Sequence, residues 1–255
     1  MSADRLIPDW NAPAAVHALV TTRIGGCSSA PYASMNLAAH VGDDPEAVAA
    51  NRRRLRRGDL PLPADPLWLR QVHGSSVLSG EAYREGAEAD ACIARTPGLV
   101  CAVLSADCLP LLFCADDASV VGAAHAGWRG LAAGVIEACV AAMAIPPARL
   151  LVWLGPAIGA LAYEVGDAVR DAFCDRAAAA QKAFVPDDNG KWRCDLYLLA
   201  RQRLAALGVN RVSGGEYCTF SDPRRFYSYR RDGATGRMAS CIWLDPRGQG
   251  KSRHV

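Results

Sequence analysis

Residues 99–130 read LVCAVLSADCLPLLFCADDASVVGAAHAGWRG. Three apolar runs, Leu99–Ser105, Leu111–Cys114 and Ser119–Ala124, are divided by Asp107 and Pro110 and then by Asp116-Asp117. Short runs of this kind, rich in Val and Leu and bounded by turn formers, read as buried strands. The following stretch, Trp128 to Ala144, is alanine-rich and carries Leu131, Val135, Cys139 and Met143 on one stripe. That spacing predicts a helix, stopped by Pro146-Pro147.

The same alternation extends in both directions. Further strands are expected at Val16–Thr22, Leu67–His73, Leu150–Gly155, Arg211–Glu216 and Met238–Leu244. Asp44-Pro45-Glu46 supplies a cap, a proline at the first helical position and an acid in the first turn, opening a helix to about Arg57. Gly166 to about Phe184 reads as another helix. Asp195 caps a last one, with Leu196, Leu199, Ala200, Leu204 and Leu207 facing inward and Gly208 as its stop. Irregular alternation of strands and helices argues for one α/β domain over residues 1–255 with a mixed sheet. Pro61-Leu62-Pro63 and Asp187–Gly190 read as surface loops within it.

Composition agrees with a packed enzyme-sized domain. Of 255 residues, 51% are hydrophobic and 21% charged, enough for a sizeable core and against general disorder. A net charge of +2 does not by itself imply a nucleic-acid or membrane partner. Asp4, Arg5, Pro8 and Asp9 interrupt the place where a signal peptide needs an apolar stretch. No run reaches the ~20 apolar residues needed to span a bilayer, so a cytoplasmic location is expected. Ten cysteines occur without a C-x-x-C pair, most of them inside apolar runs where a free thiol acts as a small hydrophobe. Cys108, in LSADCLP, is the exception.

The five histidines stand at 17, 40, 73, 125 and 254. His73 closes LWLRQVHG, His125 closes SVVGAAHA, and Cys108 follows a third run. Three such residues at three strand ends can converge where α/β proteins place their pockets. Imidazole and thiolate suit zinc, and three protein ligands leave a fourth position for water or substrate. A water held there has its pKa lowered towards ~7. Asp107 and Gln71 are placed to orient the ligands or to act as acid/base groups. Spacing alone does not decide the matter: a histidine at a strand end is more often a hydrogen-bonded surface or core residue, and no short H-x-x-x-H motif is present.

Seven segments carry a family resemblance: TTRIGGCSSAPYASMNLAAHVGDD, WLRQVHG, ADACIA, SADCLPLLF, AAHAGWRG, LGPAIG and CTFSDPRRFYSYRRDGATGR. In this order, from about Thr21 to Leu244, the chain resembles the laccase-domain proteins. They were once called multicopper polyphenol oxidases and are now described as purine nucleoside phosphorylases or peptidoglycan editing factors. The resemblance implies that His73, Cys108 and His125 bind zinc, with copper as the alternative ion. It also implies a single-domain four-layer α/β/β/α sandwich with mixed sheets, shared with cysteine-hydrolase-like deamidases. The implied activities are phosphorolysis of adenosine, inosine, guanosine and S-methyl-5'-thioadenosine, and deamination of adenosine.

Phosphorolysis requires a phosphate site, for which paired guanidinium donors are suited. Arg23, just before Gly25-Gly26, and Arg129, at a helix start, are the candidates. Asn36 and His40 are candidates for ribose or base. The arginines of NRRRLRRGD are spread around their helix and read as a solvated face. The stretch DPRRFYSYRRDG reads as a loop bordering the pocket. The expected partners are therefore small molecules, purine nucleosides and phosphate, with no nucleic acid or membrane, and a monomer or weak homodimer.

Rival functions separate on chemistry. A four-copper oxidase needs many more imidazoles than five, and no methionine flanks the trio as an axial ligand. Hydrolytic editing, removing a misincorporated L-serine from a UDP-muramyl precursor, is the alternative enzyme reading. A third makes Cys108 a nucleophile with His125 as its base. A non-catalytic module stabilised by metal is disfavoured, because a three-ligand open site is a poor structural staple.

Overall fold

The computed structural model describes residues 4–57 and 60–246; His254 lies outside them. Its centre is two sheets packed face to face. The first has the order Arg5–Leu6 (β1), Val16–Thr21 (β2), Met238–Leu244 (β14), Val100–Ser105 (β6) and Pro66–Leu67 (β3). The second runs Arg211–Gly214 (β13), Leu150–Leu154 (β9), Leu109–Ala115 (β7), Val121–Ala126 (β8), Ala91–Ala94 (β5) and Val77–Ser79 (β4). Both are mixed: β3 with β6, β4 with β5 and β13 with β9 are parallel, and the other pairs antiparallel. Glu164–Val165 (β10), Trp192–Cys194 (β12) and Phe184–Pro186 (β11) form a small third sheet.

Side-chain alternation explains the layering. Along β14, Ala239, Cys241 and Trp243 face outward under Pro45–Arg57 (α1), packing with Leu55 and Leu37. Ile242 and Leu244 face inward, against Leu112, Cys114, Val121 and Trp153 of the second sheet. The far face of that sheet, with Phe113, Val152 and Leu154, is covered by four helices. These are Trp128–Ala133 (α2), Val135–Met143 (α3), Asp167–Cys174 (α4) and Leu196–Ala206 (α5). A short helix, Tyr229–Asp232 (α6), precedes β14. The order helix, sheet, sheet, helix is the four-layer sandwich that the resemblance implies. No helix among the described residues is long and apolar enough to cross a membrane. All ten cysteines are free, and six of them are buried.

Both predicted caps form. Asp44 accepts from the Glu46 amide at 3.0 Å, and Asp195 accepts from the Leu198 amide at 2.9 Å. Three expected elements depart from the structure by more than two residues. The helix from Trp128 to Ala144 is two helices, because Gly134 adopts a left-handed φ of 96°. The helix from Gly166 ends at Cys174, and Phe184 already belongs to a strand paired with Cys194. The strand expected to reach His73 stops at Leu67, and His73 itself has a φ of 61°.

Candidate functional site

The site forms where the two sheets are linked. β6 of the first sheet ends at Ser105, the turn Ala106–Cys108 crosses over, and β7 of the second sheet begins at Leu109. Cys108 therefore sits on the crossing. β8 lies beside β7 with His125 opposite Pro110, which brings that imidazole to the same end. His73 arrives on a loop rather than on a strand.

The ligand atoms of His73, Cys108 and His125 lie within 4.8 Å of one another, and this is the metal-capable trio among the described residues. Cys108 Sγ is 4.0 Å from His73 Nε2, and the two imidazole centroids are 4.9 Å apart at 76°. His125 is buried, Cys108 half-buried and His73 exposed, so the trio opens to solvent on the His73 side. Tetrahedral zinc with N and S ligands requires donor separations of about 3.3–3.8 Å. A modest contraction of this group would meet that requirement.

Two glycines of HAGWRG make the approach feasible. A Cβ on Gly127 would stand 2.9 Å from Cys108 Sγ and 3.1 Å from His73 Cδ2. A Cβ on Gly130 would stand 2.7 Å from the Gly74 carbonyl oxygen. Any larger residue at either position would push α2 away from the His73 loop.

Asp90, at the start of β5, organises two of the three ligands. It is fully buried. Its Oδ1 accepts from the His73 amide at 2.9 Å and lies 2.9 Å from His125 Nδ1. Its Oδ2 accepts from the amides of Gly74 at 2.6 Å and Val72 at 3.2 Å. Its carbonyl accepts from the His125 amide at 2.7 Å. One carboxylate thus holds the left-handed His73 turn and fixes the His125 ring, leaving Nε2 of that ring for an ion. Burial opposes its ionisation, but the bonds from His125 and the turn amides outweigh this and lower its pKa.

The trio is electrostatically coupled. Burial disfavours a Cys108 thiolate, yet the charge and hydrogen bonding of His125, and then of His73, bring the thiol down to about 6. Burial likewise disfavours a charged His125, while Cys108 and Asp90 raise it to about 9. The sulfur is therefore ionised at neutral pH, the form a metal ion or an electrophile needs.

Several sequence candidates have other employment. The Asp107 carboxylate, on a residue with φ of 99°, accepts from Thr219 Oγ1 at 2.6 Å, Ser228 Oγ at 3.1 Å and the Arg230 amide at 2.7 Å. It fastens the C-terminal loop instead of contacting the ligands. Gln71 exchanges two amide bonds with the backbone of Leu104 and splints the end of β6. Arg23 donates to the carbonyls of Ala33 and Pro223 and lies over Tyr227, which leaves it poorly suited to phosphate. Asn36 is fully buried, and its side-chain amide serves Ala38, Asp43 and the Arg237 amide. Arg129 stacks on Trp128 and, with Asp171 and Arg176, borders a hollow on the helical face. His40 is exposed, and its pKa is lowered by partial burial and by the charges of Arg237 and Arg52. The structure thus gives Asp107, Gln71, Arg23 and Asn36 hydrogen-bonding roles within the fold, and Arg129 a stacking contact with Trp128.

Asp90 and Arg237 are the residues that sequence reasoning passed over. ADACIA and the terminal DGATGR lie within the segments that carry the resemblance, but neither has a short-range pattern that assigns a role.

A family model described as "Multi-copper polyphenol oxidoreductase laccase" matches residues 17–245. "Purine nucleoside phosphorylase PA4543" of Pseudomonas aeruginosa is 56% identical over 240 residues, covering 94% of this chain and 98% of the relative. "Purine nucleoside phosphorylase YfiH" of Escherichia coli is 52% identical over 241 residues, with the same two coverages. The crystal structure of Neisseria meningitidis protein NMB0706 superposes with a TM-score of 0.91 at 50% identity, covering 94% of this chain and 99% of that one. With the matched region spanning both sheets and all three members of the trio, the chain belongs to the multi-copper polyphenol oxidoreductase laccase family.

Proposed function

We propose that the chain is a zinc-dependent purine nucleoside phosphorylase acting on adenosine, inosine, guanosine and S-methyl-5'-thioadenosine, with adenosine deamination as a second activity. The observation that carries this reading is the solvent-open His73–Cys108–His125 group. The names of the Pseudomonas and Escherichia relatives support the reaction class. The N and S donor set favours zinc over harder ions.

Zinc held by the trio would supply a Lewis acid beside the substrate. The chain's own residues do the rest. Asp90 fixes the His125 ring and the His73 turn, so the donors need little rearrangement to act. Phosphorolysis forms a bond between a phosphate oxygen and the sugar C1' as the glycosidic C–N bond breaks. The electron pair leaves with the purine, which takes up a proton. Deamination replaces the amino group of adenosine with the oxygen of water and releases ammonia.

The test is product chromatography of each nucleoside with and without phosphate, alongside metal analysis of protein expressed without added metal. Free base and ribose 1-phosphate should appear only with phosphate, and zinc should track activity. Absence of turnover on every purine nucleoside would overturn the reading, and stoichiometric copper with little zinc would overturn the choice of ion. Turnover of a serine-containing muramyl precursor in the same assay would favour the editing alternative.

A second reading is favoured by the alignment of Cys108, His125 and Asp90 as thiolate, imidazole and orienting carboxylate. Anaerobic metal removal separates the two: activity survives if Cys108 is the nucleophile and disappears if the ion is required. The proposed partners are small molecules, with the protein acting in the cytoplasm as a monomer or weak homodimer.

A further inference from the structure

We propose that Arg237, with His40 and Arg52, forms a subsite for inorganic phosphate beside the His73–Cys108–His125 group. This inference rests on the phosphorylase reading and names the part of the site that reading lacks.

Arg237 lies one residue before Met238, which pairs with Ser105 at the end of β6. The register therefore sets Arg237 beside the Ala106–Cys108 crossing. Its guanidinium is half-buried and lies 5.8 Å from the centre of the Tyr229 ring; of its nitrogens only Nη1 has an acceptor, donating to the carbonyls of Thr235 at 2.7 Å and Gly236 at 3.0 Å. Nε and Nη2 have no hydrogen-bond acceptor among the described residues, and no carboxylate there forms an ion pair with the group. The hydroxyl of Thr235, on the same turn, is buried without a partner among the described residues.

The other two side chains hang on the same frame. The Arg237 amide donates to Asn36 Oδ1 at 2.9 Å, and its carbonyl accepts from the Leu37 amide at 3.3 Å. Arg52 reaches the same loop through Nε to the Leu37 carbonyl at 3.0 Å, with its guanidinium 4.2 Å above the Trp68 ring. Arg52 too forms no ion pair among the described residues. His40, on that loop, feels both guanidinium charges. Cys108, Asp107 and Tyr32 act on Arg237 from a distance, as do Tyr83, Glu85 and Asp65 on Arg52.

On the C-terminal loop, Arg225 is paired with Asp222, and Arg231 with Asp232 and three carbonyls. Guanidinium groups held without an ion-pair partner, with carboxylates acting only from a distance, stabilise a bound anion. Phosphate fits because two unspent guanidinium edges match its oxygens in pairs.

The test is phosphate binding to the zinc-loaded protein by titration calorimetry without nucleoside, together with steady-state kinetics. Arg237→Gln should weaken phosphate binding and raise KM for phosphate about tenfold or more. KM for the nucleoside and zinc content should stay near wild type. Arg237→Lys should recover part of the loss, and His40→Gln and Arg52→Gln should each show a smaller shift of the same kind. If Arg237→Gln does not fold, the latter two variants decide. Unchanged phosphate affinity in the variants, or a loss confined to the nucleoside, overturns the subsite. Phosphate binding that depends on Arg237 in a protein without phosphorolysis would instead preserve the subsite and overturn the activity.

Discussion

Replacing Asp90 with asparagine tests how the site is held together. The carboxylate receives two donors on each oxygen: His73 N–H and His125 Nδ1 on one, Val72 N–H and Gly74 N–H on the other. An asparagine amide has one accepting end, so in either orientation two donors meet an NH2 group. A hydrogen bond to a charged acceptor contributes about 1.5–3 kcal/mol, which puts the gross loss near 3–6 kcal/mol. Removing a buried charge returns part of its desolvation cost, leaving a net destabilisation of about 2–4 kcal/mol. Urea denaturation of the metal-free protein at neutral pH measures this loss. Competition against a chelator should show zinc affinity falling about 10–100-fold. The sign with pH follows from the lowered Asp90 pKa. Its stabilisation is fully present above the unfolded carboxylate value of about 3.9 and is lost as pH falls through the folded value. Wild type and Asp90→Asn should therefore converge in acid. A variant within about 0.5 kcal/mol of wild type at neutral pH, the range of neutral surface changes, with unchanged zinc affinity would refute the reasoning.

Gly127→Ala puts a methyl 2.9 Å from the Cys108 sulfur, so the metal content of purified protein should fall while circular dichroism retains the helices. In metal-free protein, alkylation of Cys108 should rise with pH around a midpoint near 6, and added zinc should suppress it; a midpoint at the ordinary thiol value would contradict the thiolate–imidazolium pairing. Asn36→Ala strands several buried donors and acceptors and should cost about 2–4 kcal/mol on denaturation. Wild-type stability combined with a raised nucleoside KM would show that Asn36 touches substrate after all.

The strands, the caps and the α/β class were legible because they depend on local signals, whereas the four layers and the trio came from the family resemblance. Apolar runs such as Leu99–Ser105 and Met238–Leu244 are bounded by turn residues, and the two caps are short-range chemistry. The Trp128–Ala144 helix was misread because its alanine-rich stretch keeps its periodicity through Gly134, so the left-handed break leaves little trace in the pattern. The polar residues around the site were harder. Arg23, Asn36 and Gln71 lie in glycine-rich or irregular segments whose backbone groups need partners, and they supply them. Asp90 was hidden for the opposite reason. Its partners lie up to 18 residues earlier and 35 later in the chain, so its sequence context of ADACIA reads only as the start of a strand.

The crossing from one sheet to the other at Ala106–Cys108 makes ion capture sensitive to the whole sandwich. The sulfur rides on the strap joining the two layers, while His125 belongs to one layer alone. A partly loosened state that keeps each layer's ladder intact but lets the layers slide would shed its ion first. Metal release on gentle heating should thus precede any change in backbone spectra, giving an early gauge of lost register between the layers.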